Sequence, residues 1–150
     1  MTAMPYRYTI EDTYALPADR VFDAAIDFDM LQDETRGIAR YEGLPHGKAV
    51  LGGDYTTRMT LFGVLPLSAY RIRVTELDEA ARTTRTEESG GVVQYHHHRI
   101  TVLDRGDGTS LYRDEIEGSV GWLTPIAGPI VRAMYAARHR KRKAALGLPS

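Results

Sequence analysis

The sequence contains no cysteine, and this absence excludes a disulfide scaffold, a thiolate metal site and a cysteine nucleophile. It also lacks an apolar run of the roughly 20 residues that a membrane-spanning helix needs, and its first ten residues do not have the composition of a secretory signal. Phosphate-binding glycine loops, Gly-x-Ser-x-Gly elbows and paired metal motifs are missing as well. We therefore expect a cytoplasmic protein that uses no cofactor and is neither a nucleotide enzyme nor a serine hydrolase.

The net charge of −1 is unevenly distributed along the chain. Residues 1–122 carry 13 Lys and Arg against 20 Asp and Glu, whereas residues 123–150 carry six basic residues and no acidic one. Cations at a helix C-terminus complement the helix dipole, so a solvated helix end is one interpretation. Docking on an anionic membrane surface is a second, since each basic side chain near such a surface contributes about 1 kcal/mol. The docking residues would be Arg138, Arg140, Lys141, Arg142 and Lys143.

Nucleic acid is not an expected partner. No recognition motif accompanies the basic cluster, and the rest of the chain is acidic.

A long helical pattern is present at the end of a chain that otherwise has strand patterns. Ile126, Ile130 and Met134 recur every four residues, which predicts an amphipathic helix over residues 123–146. A Thr-Pro pair suits its start, and Gly147 suits its end. Such a helix must bury its apolar stripe, so we expect it to pack against a sheet built from the preceding strands.

The remaining elements follow a simple order. Alternating polar and apolar residues predict a first strand over residues 6–16, and helical spacing then predicts short helices over residues 19–28 and 30–36. Six further strands, separated by turn residues, are predicted over residues 38–42, 54–61, 67–77, 82–88, 92–103 and 109–117. Short turns between successive strands imply an antiparallel sheet within one domain over residues 1–150.

Several segments resemble the START-like, or SRPBCC, superfamily. They are residues 16–22, Gly53-Asp54, and a block over residues 95–140 that holds His96-His97-His98, Gly108-Thr109, Gly121, Tyr135 and Arg138-His139. The block is similar to a bacterial subgroup described as polyketide cyclase/dehydrase-like or left uncharacterised. The resemblance implies an α+β helix-grip fold. In that fold a curved antiparallel sheet of about six or seven strands wraps around a long C-terminal helix, and two short helices follow the first strand.

The last strand departs from the subgroup at one position. The subgroup commonly has an acidic residue four positions after the threonine of its Gly-Thr hairpin, where this chain has Arg113, and Asp114 follows one place later. Either a bulge shifts the register here, or the inward-facing set of the strand differs, because a one-residue slip moves every side chain to the opposite face.

Two histidines are the main candidates for chemistry. His96 and His98 are two residues apart on a predicted strand, so they share one face and His97 has the other. They could hold zinc, with a third ligand from His46, Glu115 or Glu117, but no motif supplies that ligand and we predict no metal site. As neutral imidazoles inside the sheet they could bind a ligand, act as acid or base, or only satisfy neighbouring side chains.

Nine tyrosines against three phenylalanines and one tryptophan suit the wall of a cavity for an amphipathic ligand, because each ring adds a hydroxyl to an apolar surface. Trp122, in a glycine-containing connection before the last helix, is expected to anchor that connection or to gate a cavity mouth. The candidate ligand-binding residues are Tyr55, Met59, Tyr70, His96, His98, Tyr112, Trp122, Ile130 and Met134.

These features predict binding or carriage of a small hydrophobic molecule of the lipid, isoprenoid or aromatic polyketide class. The alternative is a polyketide cyclase or aromatase-like enzyme that uses the same cavity, in which correct positioning of the substrate supplies much of the catalysis. A third possibility is a regulatory module that contacts a partner through the basic helix end.

Overall fold

The computed structural model describes residues 4–149, and the predicted order of elements is confirmed. The elements are β1 (Tyr6–Tyr14), α1 (Ala18–Ala25), α2 (Phe28–Glu34), β2 (Ala39–Glu42), β3 (Asp54–Leu61), β4 (Leu65–Asp78), β5 (Thr83–Gly90), β6 (Val93–Asp104), β7 (Ser110–Ser119) and α3 (Thr124–Ala145). A short 3₁₀ turn, Gly121–Leu123, precedes α3. Pro17 directly before α1 and Asp27 before α2 separate the two short helices from their neighbours, and the Asp27 carboxylate accepts from Asp29 N at 2.8 Å.

The seven strands form one antiparallel sheet in the order β1-β7-β6-β5-β4-β3-β2. Register shifts interrupt the pairing of β3 with β4, of β4 with β5 and of β5 with β6, and such bulges bend a sheet. The helix α3 packs against β1 and α2, and α1 packs against β6 and β7. This is the helix-grip fold that the sequence predicts.

The apolar core is divided into three clusters. One lies beneath α1, a second lies between β3, β4 and the start of β2, and a third joins β1, β7 and α3. Their central residues are, in turn, Val21 and Val102, Met59 and Leu67, and Tyr6 and Ile116. The second and third clusters contribute walls to the cavity described below.

The strand β7 pairs with β1 and β6 without a bulge, so simple alternation decides which of its side chains face inward. Tyr112, Asp114 and Ile116 are buried, whereas Arg113 points outward and donates to Glu11 at 2.9 Å. Of the two alternatives left open by the sequence, the bulge is wrong, and Asp114 is an inward-facing carboxylate.

The buried face of α3 is not the one that the apolar stripe predicts. Ile126 and Ile130 are 63% and 46% exposed, whereas Tyr135, Arg138 and Arg142 are buried. Gly128 lies directly against β1, where an added Cβ would be 2.8 Å from Tyr8 Oη and 3.2 Å from Tyr6 Cβ. The face of α3 that approaches the sheet is therefore the one that carries Gly128 and the three buried side chains.

The start of α3 also differs from the expectation. Thr124 is the first helical residue rather than the cap, and its hydroxyl accepts from Val120 N at 3.0 Å and donates to Gly121 O at 2.6 Å. Pro129 lies inside the helix, where its missing N–H leaves the carbonyl of residue 125 without its helical partner. Trp122 is 82% exposed, so the expectation that it anchors this connection is wrong. Within residues 4–149, no helix is both long and apolar enough to cross a bilayer.

Candidate functional site: an apolar cavity and a buried polar network

A cavity of about 300 Å³ lies between the first half of α3 and the inner face of the sheet, and we call it the outer cavity. Its walls are mostly aliphatic and aromatic, and its few polar groups belong chiefly to tyrosines, His96, Glu88 and Arg138. Five predicted ligand-binding residues line it, namely Met59, Tyr70, His96, Ile130 and Met134. Alternation along β3, β4 and β6 and helical spacing along α3 bring these side chains together.

Of the other four predicted residues, His98 lines a second cavity described below and three line neither cavity. Tyr55 packs edge-on against Phe28, with ring centroids 5.1 Å apart. Tyr112 is fully buried, with the Arg142 guanidinium 4.3 Å above its ring, and Trp122 is mostly exposed. The structure therefore does not bring Tyr55, Tyr112 and Trp122 to the cavity.

The mouth of the outer cavity is surrounded by exposed apolar side chains from three segments. Phe62 and Leu65 flank the β3–β4 turn, Val92 lies on the β5–β6 turn, and Ile126 lies on α3. The β5–β6 turn packs closely on β4: an added Cβ on Gly90, whose φ is +153°, would be 2.7 Å from the Tyr70 Cα. Apolar side chains grouped around an opening are typical of a site that an apolar molecule enters.

His96 bridges two tyrosines at the inner wall of the outer cavity. Its Nδ1 lies 2.7 Å from Tyr6 Oη, and its Nε2 lies 2.7 Å from Tyr135 Oη. Burial lowers the pKa of His96 to about 4, so the ring is neutral near pH 7, with one nitrogen donating and the other accepting. Both nitrogens are engaged, and His96 thereby fixes the positions of the two tyrosines.

A second cavity of about 80 Å³ lies deeper, between α1, α2 and strands β4 to β6, and we call it the inner chamber. It shares Tyr41, Glu88 and Arg138 with the outer cavity, so the two spaces adjoin. The predicted residue His98 lines the inner chamber. The two cavities together form an apolar space with a more polar inner end.

Asp114 joins two histidines beside the inner chamber. Its Oδ1 lies 2.5 Å from His98 Nε2, and its Oδ2 lies 2.6 Å from His139 Nε2. Burial alone would raise the pKa of Asp114, but the hydrogen bonds from the two rings outweigh it and hold the pKa far below its usual range. The carboxylate is therefore ionised and accepts a hydrogen bond from each ring.

Glu34 neutralises two buried arginines of α3. Its Oε1 accepts from Arg138 Nη2 at 2.5 Å, and its Oε2 accepts from Arg142 Nε at 2.6 Å. Burial would raise the pKa of Glu34, but the two guanidinium charges lower it below its usual value. Arg142 also donates to Tyr14 Oη at 3.0 Å, which extends the network to His139.

The expectation that five basic side chains of α3 lie in water is therefore wrong for Arg138 and Arg142. Lys143 donates to Asp12 at 2.7 Å and is mostly covered. Arg140 is exposed and Lys141 is half-buried. The basic end of the helix is mainly an internal structural feature.

Glu88 is one of the site residues that the sequence did not predict, together with Tyr6, Tyr41 and Tyr135. Its carboxylate accepts from Tyr70 Oη at 2.8 Å and from Thr86 Oγ1 at 2.7 Å, and no basic side chain in the described part of the chain forms an ion pair with it. Burial and the nearby Glu88 charge raise the pKa of Tyr70 well above its usual value. The only sequence signal was period-two alternation from Thr84 along β5, which was hidden by polar residues on both faces.

The proposed third metal ligands lie away from the histidine pair. His46 is exposed and lies 2.6 Å from Asp29, and Glu117 pairs with Arg7 on the outer face. Within residues 4–149, no three His, Asp or Glu side chains are grouped so that they could hold a metal ion. The alternation along β6 is confirmed, because His97 points outward and contacts Arg85 at 3.1 Å.

Solved structures share this fold. A protein from Chromobacterium violaceum, CV1439, is 20% identical and has a TM-score of 0.73, over 97% of this chain and 99% of that one. Norcoclaurine synthase from Thalictrum flavum, solved with dopamine and hydroxybenzaldehyde, is 19% identical and has a TM-score of 0.68, over 99% and 90% of the two chains. Ara h 8.0201 is 14% identical and has a TM-score of 0.68, over 95% and 99%. At these identities the likeness establishes the fold.

Sequence comparisons gave one result. A family model described as a domain of unknown function, DUF8410, matches residues 16–146. A search of curated proteins gave no significant match.

Proposed function

The chain belongs to the DUF8410 family, and we propose that this member binds a small hydrophobic molecule in the outer cavity. The observation that carries the proposal is an apolar space of about 300 Å³ that opens through exposed apolar side chains. Drug-sized ligands occupy cavities of this order, with mostly apolar walls and a few polar groups that fix their orientation. Lipids, isoprenoids and aromatic polyketides are the candidate ligand classes.

The relatives in fold support a ligand of this size. Norcoclaurine synthase was solved with dopamine and hydroxybenzaldehyde, two small aromatic molecules. The polyketide cyclase-like subgroup that the sequence resembles would place aromatic or pre-aromatic molecules in the same cavity.

Native mass spectrometry of gently purified protein is the direct test, because a ligand held in the cavity should add its mass to one chain. In parallel, a hydrophobic fluorophore should bind at one molecule per chain. Met134→Trp should lower its affinity about tenfold because the larger ring fills the cavity. Met30→Trp, on α2 and away from the cavity lining, is the matched control. No fluorophore binding by the unmodified protein, or equal binding by both variants, would contradict the proposal.

A cyclase or aromatase-like activity in the same cavity is the second candidate. It is favoured by the His98–Asp114 pair on the inner chamber, since an imidazole held by a carboxylate is suited to moving protons. Norcoclaurine synthase supports it as an enzyme with this fold. Product formation from a poly-β-ketone thioester would distinguish the enzyme from the carrier, which returns its ligand unchanged.

The contact with anionic membranes stays a prediction, and it now depends mainly on Arg140 and Lys141. Vesicle binding that requires anionic lipid and weakens with salt would support it. The cytoplasmic location also stays a prediction.

A further inference from the structure

His98 and His96 have the same orientation on β6 but differ in what their ring nitrogens contact. His96 has a tyrosine hydroxyl at each nitrogen. His98 donates a hydrogen bond from its Nε2–H to Asp114, and among residues 4–149 no group hydrogen-bonds its Nδ1. Because the proton is on Nε2, Nδ1 carries a free lone pair, and the ring that bears it lines the inner chamber.

We propose that the inner chamber is an acid–base site in which His98, oriented by Asp114, accepts the proton of a phenol or enol hydroxyl of the ligand. The inference rests on the proposed function, since the apolar body of the same ligand occupies the adjoining outer cavity. The chamber of about 80 Å³ has room for a hydroxyl and a few neighbouring carbon atoms, but not for a whole ligand of the size that fits the outer cavity.

The donors and acceptors around the chamber favour a hydroxyl over other polar groups. A carboxylate has no proton to donate to His98 Nδ1, and an ammonium has no lone pair to accept a hydrogen bond from Arg138, which lines the same chamber. A hydroxyl donates to His98 and accepts from Arg138 or the Tyr41 hydroxyl, so it satisfies both kinds of group.

The proton transfer is balanced without any further reactant. The O–H bond of the ligand breaks and an N–H bond forms at Nδ1 of His98, while the electron pair stays on the ligand oxygen as phenolate or enolate. The new imidazolium faces the Asp114 carboxylate, and Arg138 lines the chamber that would hold the ligand oxygen. Return of the proton to a carbon atom of the enolate completes a tautomerisation, whereas its return to oxygen regenerates the ligand.

His98 is the better proton acceptor of the two because its position is fixed by a charged partner. An ionised carboxylate at 2.5 Å holds the ring in the tautomer whose Nδ1 is free to accept a proton. His96 could accept a proton only by giving up one tyrosine contact. His139 shares Asp114 but lines neither cavity, since its Nδ1 faces Tyr14 and Arg142.

The test compares 2-naphthol with its methyl ether, 2-methoxynaphthalene. The two probes differ in that a methyl group replaces the hydroxyl proton, so the ether cannot donate a hydrogen bond. The unmodified protein should bind 2-naphthol about tenfold more tightly, as one good hydrogen bond allows. His98→Phe should reduce this ratio to about one, whereas His97→Phe, on the same strand but facing outward, should leave it unchanged. Equal binding of both probes by the unmodified protein would overturn the inference and leave the proposed function standing. Binding of neither probe would overturn both.

A second measurement needs no variant of His98 and so does not depend on its folding. In protein labelled with ¹⁵N-histidine, 2-naphthol should shift the Nδ1 resonance of one histidine, and 2-methoxynaphthalene should not. Single variants of the four other histidines, namely His46→Gln, His96→Gln, His97→Phe and His139→Gln, assign the resonance to His98 by elimination. A bound naphthol that moves no histidine Nδ1 resonance would overturn the proposal.

Discussion

In the first half of α3, Ile126 and Ile130 face the cavity mouth and solvent, whereas in the second half Arg138 and Arg142 are buried against Glu34. This is the reverse of the usual rule that apolar side chains lie inside and charged ones outside. The exposed apolar half is explained if it closes over a ligand. The buried charged half is explained by complete pairing, because a buried charge is tolerated only when a counter-charge and hydrogen bonds satisfy it.

The two halves therefore have different physical roles. The charged half holds α3 in one position over the sheet, since Glu34 must contact two arginines one turn apart. The apolar half leaves a space under the same helix. A fixed helix beside an unfilled space is what a preformed binding site requires.

The largest expected effect comes from removing the counter-charge of the buried arginines. Glu34→Gln keeps the shape but leaves two buried guanidinium groups without a carboxylate, so the free energy of unfolding should fall by about 3–5 kcal/mol in urea titration. Glu42→Gln removes a carboxylate from an exposed pair with Arg40 and should change the free energy of unfolding far less, because water screens that pair. Similar small losses in both variants would contradict the assignment of a structural role to the charged half.

A smaller loss of stability is expected at acid pH from His96, which contacts Tyr135 in the middle of α3. The pKa of His96 is about 4 in the folded protein against 6.5 for the unfolded chain, so the unfolded state binds the proton first as pH falls. Stability should therefore decrease by up to about 3 kcal/mol between pH 6.5 and pH 4. His96→Gln should flatten this part of the stability curve. An unchanged slope in that variant would rule out His96 as its source.

Protonation of Asp114 also lowers the stability of the fold, but it does so at a lower pH than protonation of His96. Its folded pKa is depressed, so its contribution is present above the unfolded value near 3.8 and is lost only as pH falls below that value. Measurements above pH 4 therefore isolate His96 from Asp114. Glu88, His97, His98 and Arg138 also act on His96, and all four are present in both proteins of the His96→Gln comparison.

The smallest expected effect on stability comes from the apolar half. Ile126→Ser should change the free energy of unfolding by less than about 0.5 kcal/mol because the side chain is already exposed. It should nevertheless weaken binding of a hydrophobic fluorophore about threefold, since Ile126 lines the cavity mouth. Ala136→Ser, on the exposed face of α3 away from the cavity, should change neither quantity. A loss of 2 kcal/mol or more in Ile126→Ser would show that this side chain is part of the core.

Much of the fold follows from local patterns in the sequence. Turn residues and period-two alternation located every strand to within two residues of its observed ends, because these signals act between near neighbours. The same alternation placed His96 and His98 on one face and His97 on the other. Alternation could not decide whether Asp114 faces inward, because that depends on whether β7 contains a bulge. Only the pairing of β7 with its neighbours shows that it does not.

The apolar stripe of α3 misled because a side chain that lines a cavity mouth has the same pattern as one in a core. The face of α3 that lies against the sheet carries Gly128, Tyr135 and Arg138, and the stripe does not mark it. The Glu34 pairs join residues 104 and 108 positions apart, so no spacing along the chain could indicate them. For the same reason the contact between Glu88 and Tyr70 could not be predicted without knowing how β4 and β5 pair.

We expect the beginning of α3, which contains Pro129, to open more readily than the rest of the helix. Of the first six residues of α3, only Gly128 can donate an α-helical hydrogen bond to a carbonyl inside the helix, because the first four N–H groups have no acceptor there and Pro129 has none to donate. Fluctuations that break few hydrogen bonds cost the least free energy, so amide exchange should be fastest in this segment. These turns lie beside the mouth of the outer cavity, and a molecule can therefore pass in or out while the sheet and the charged half of α3 stay folded.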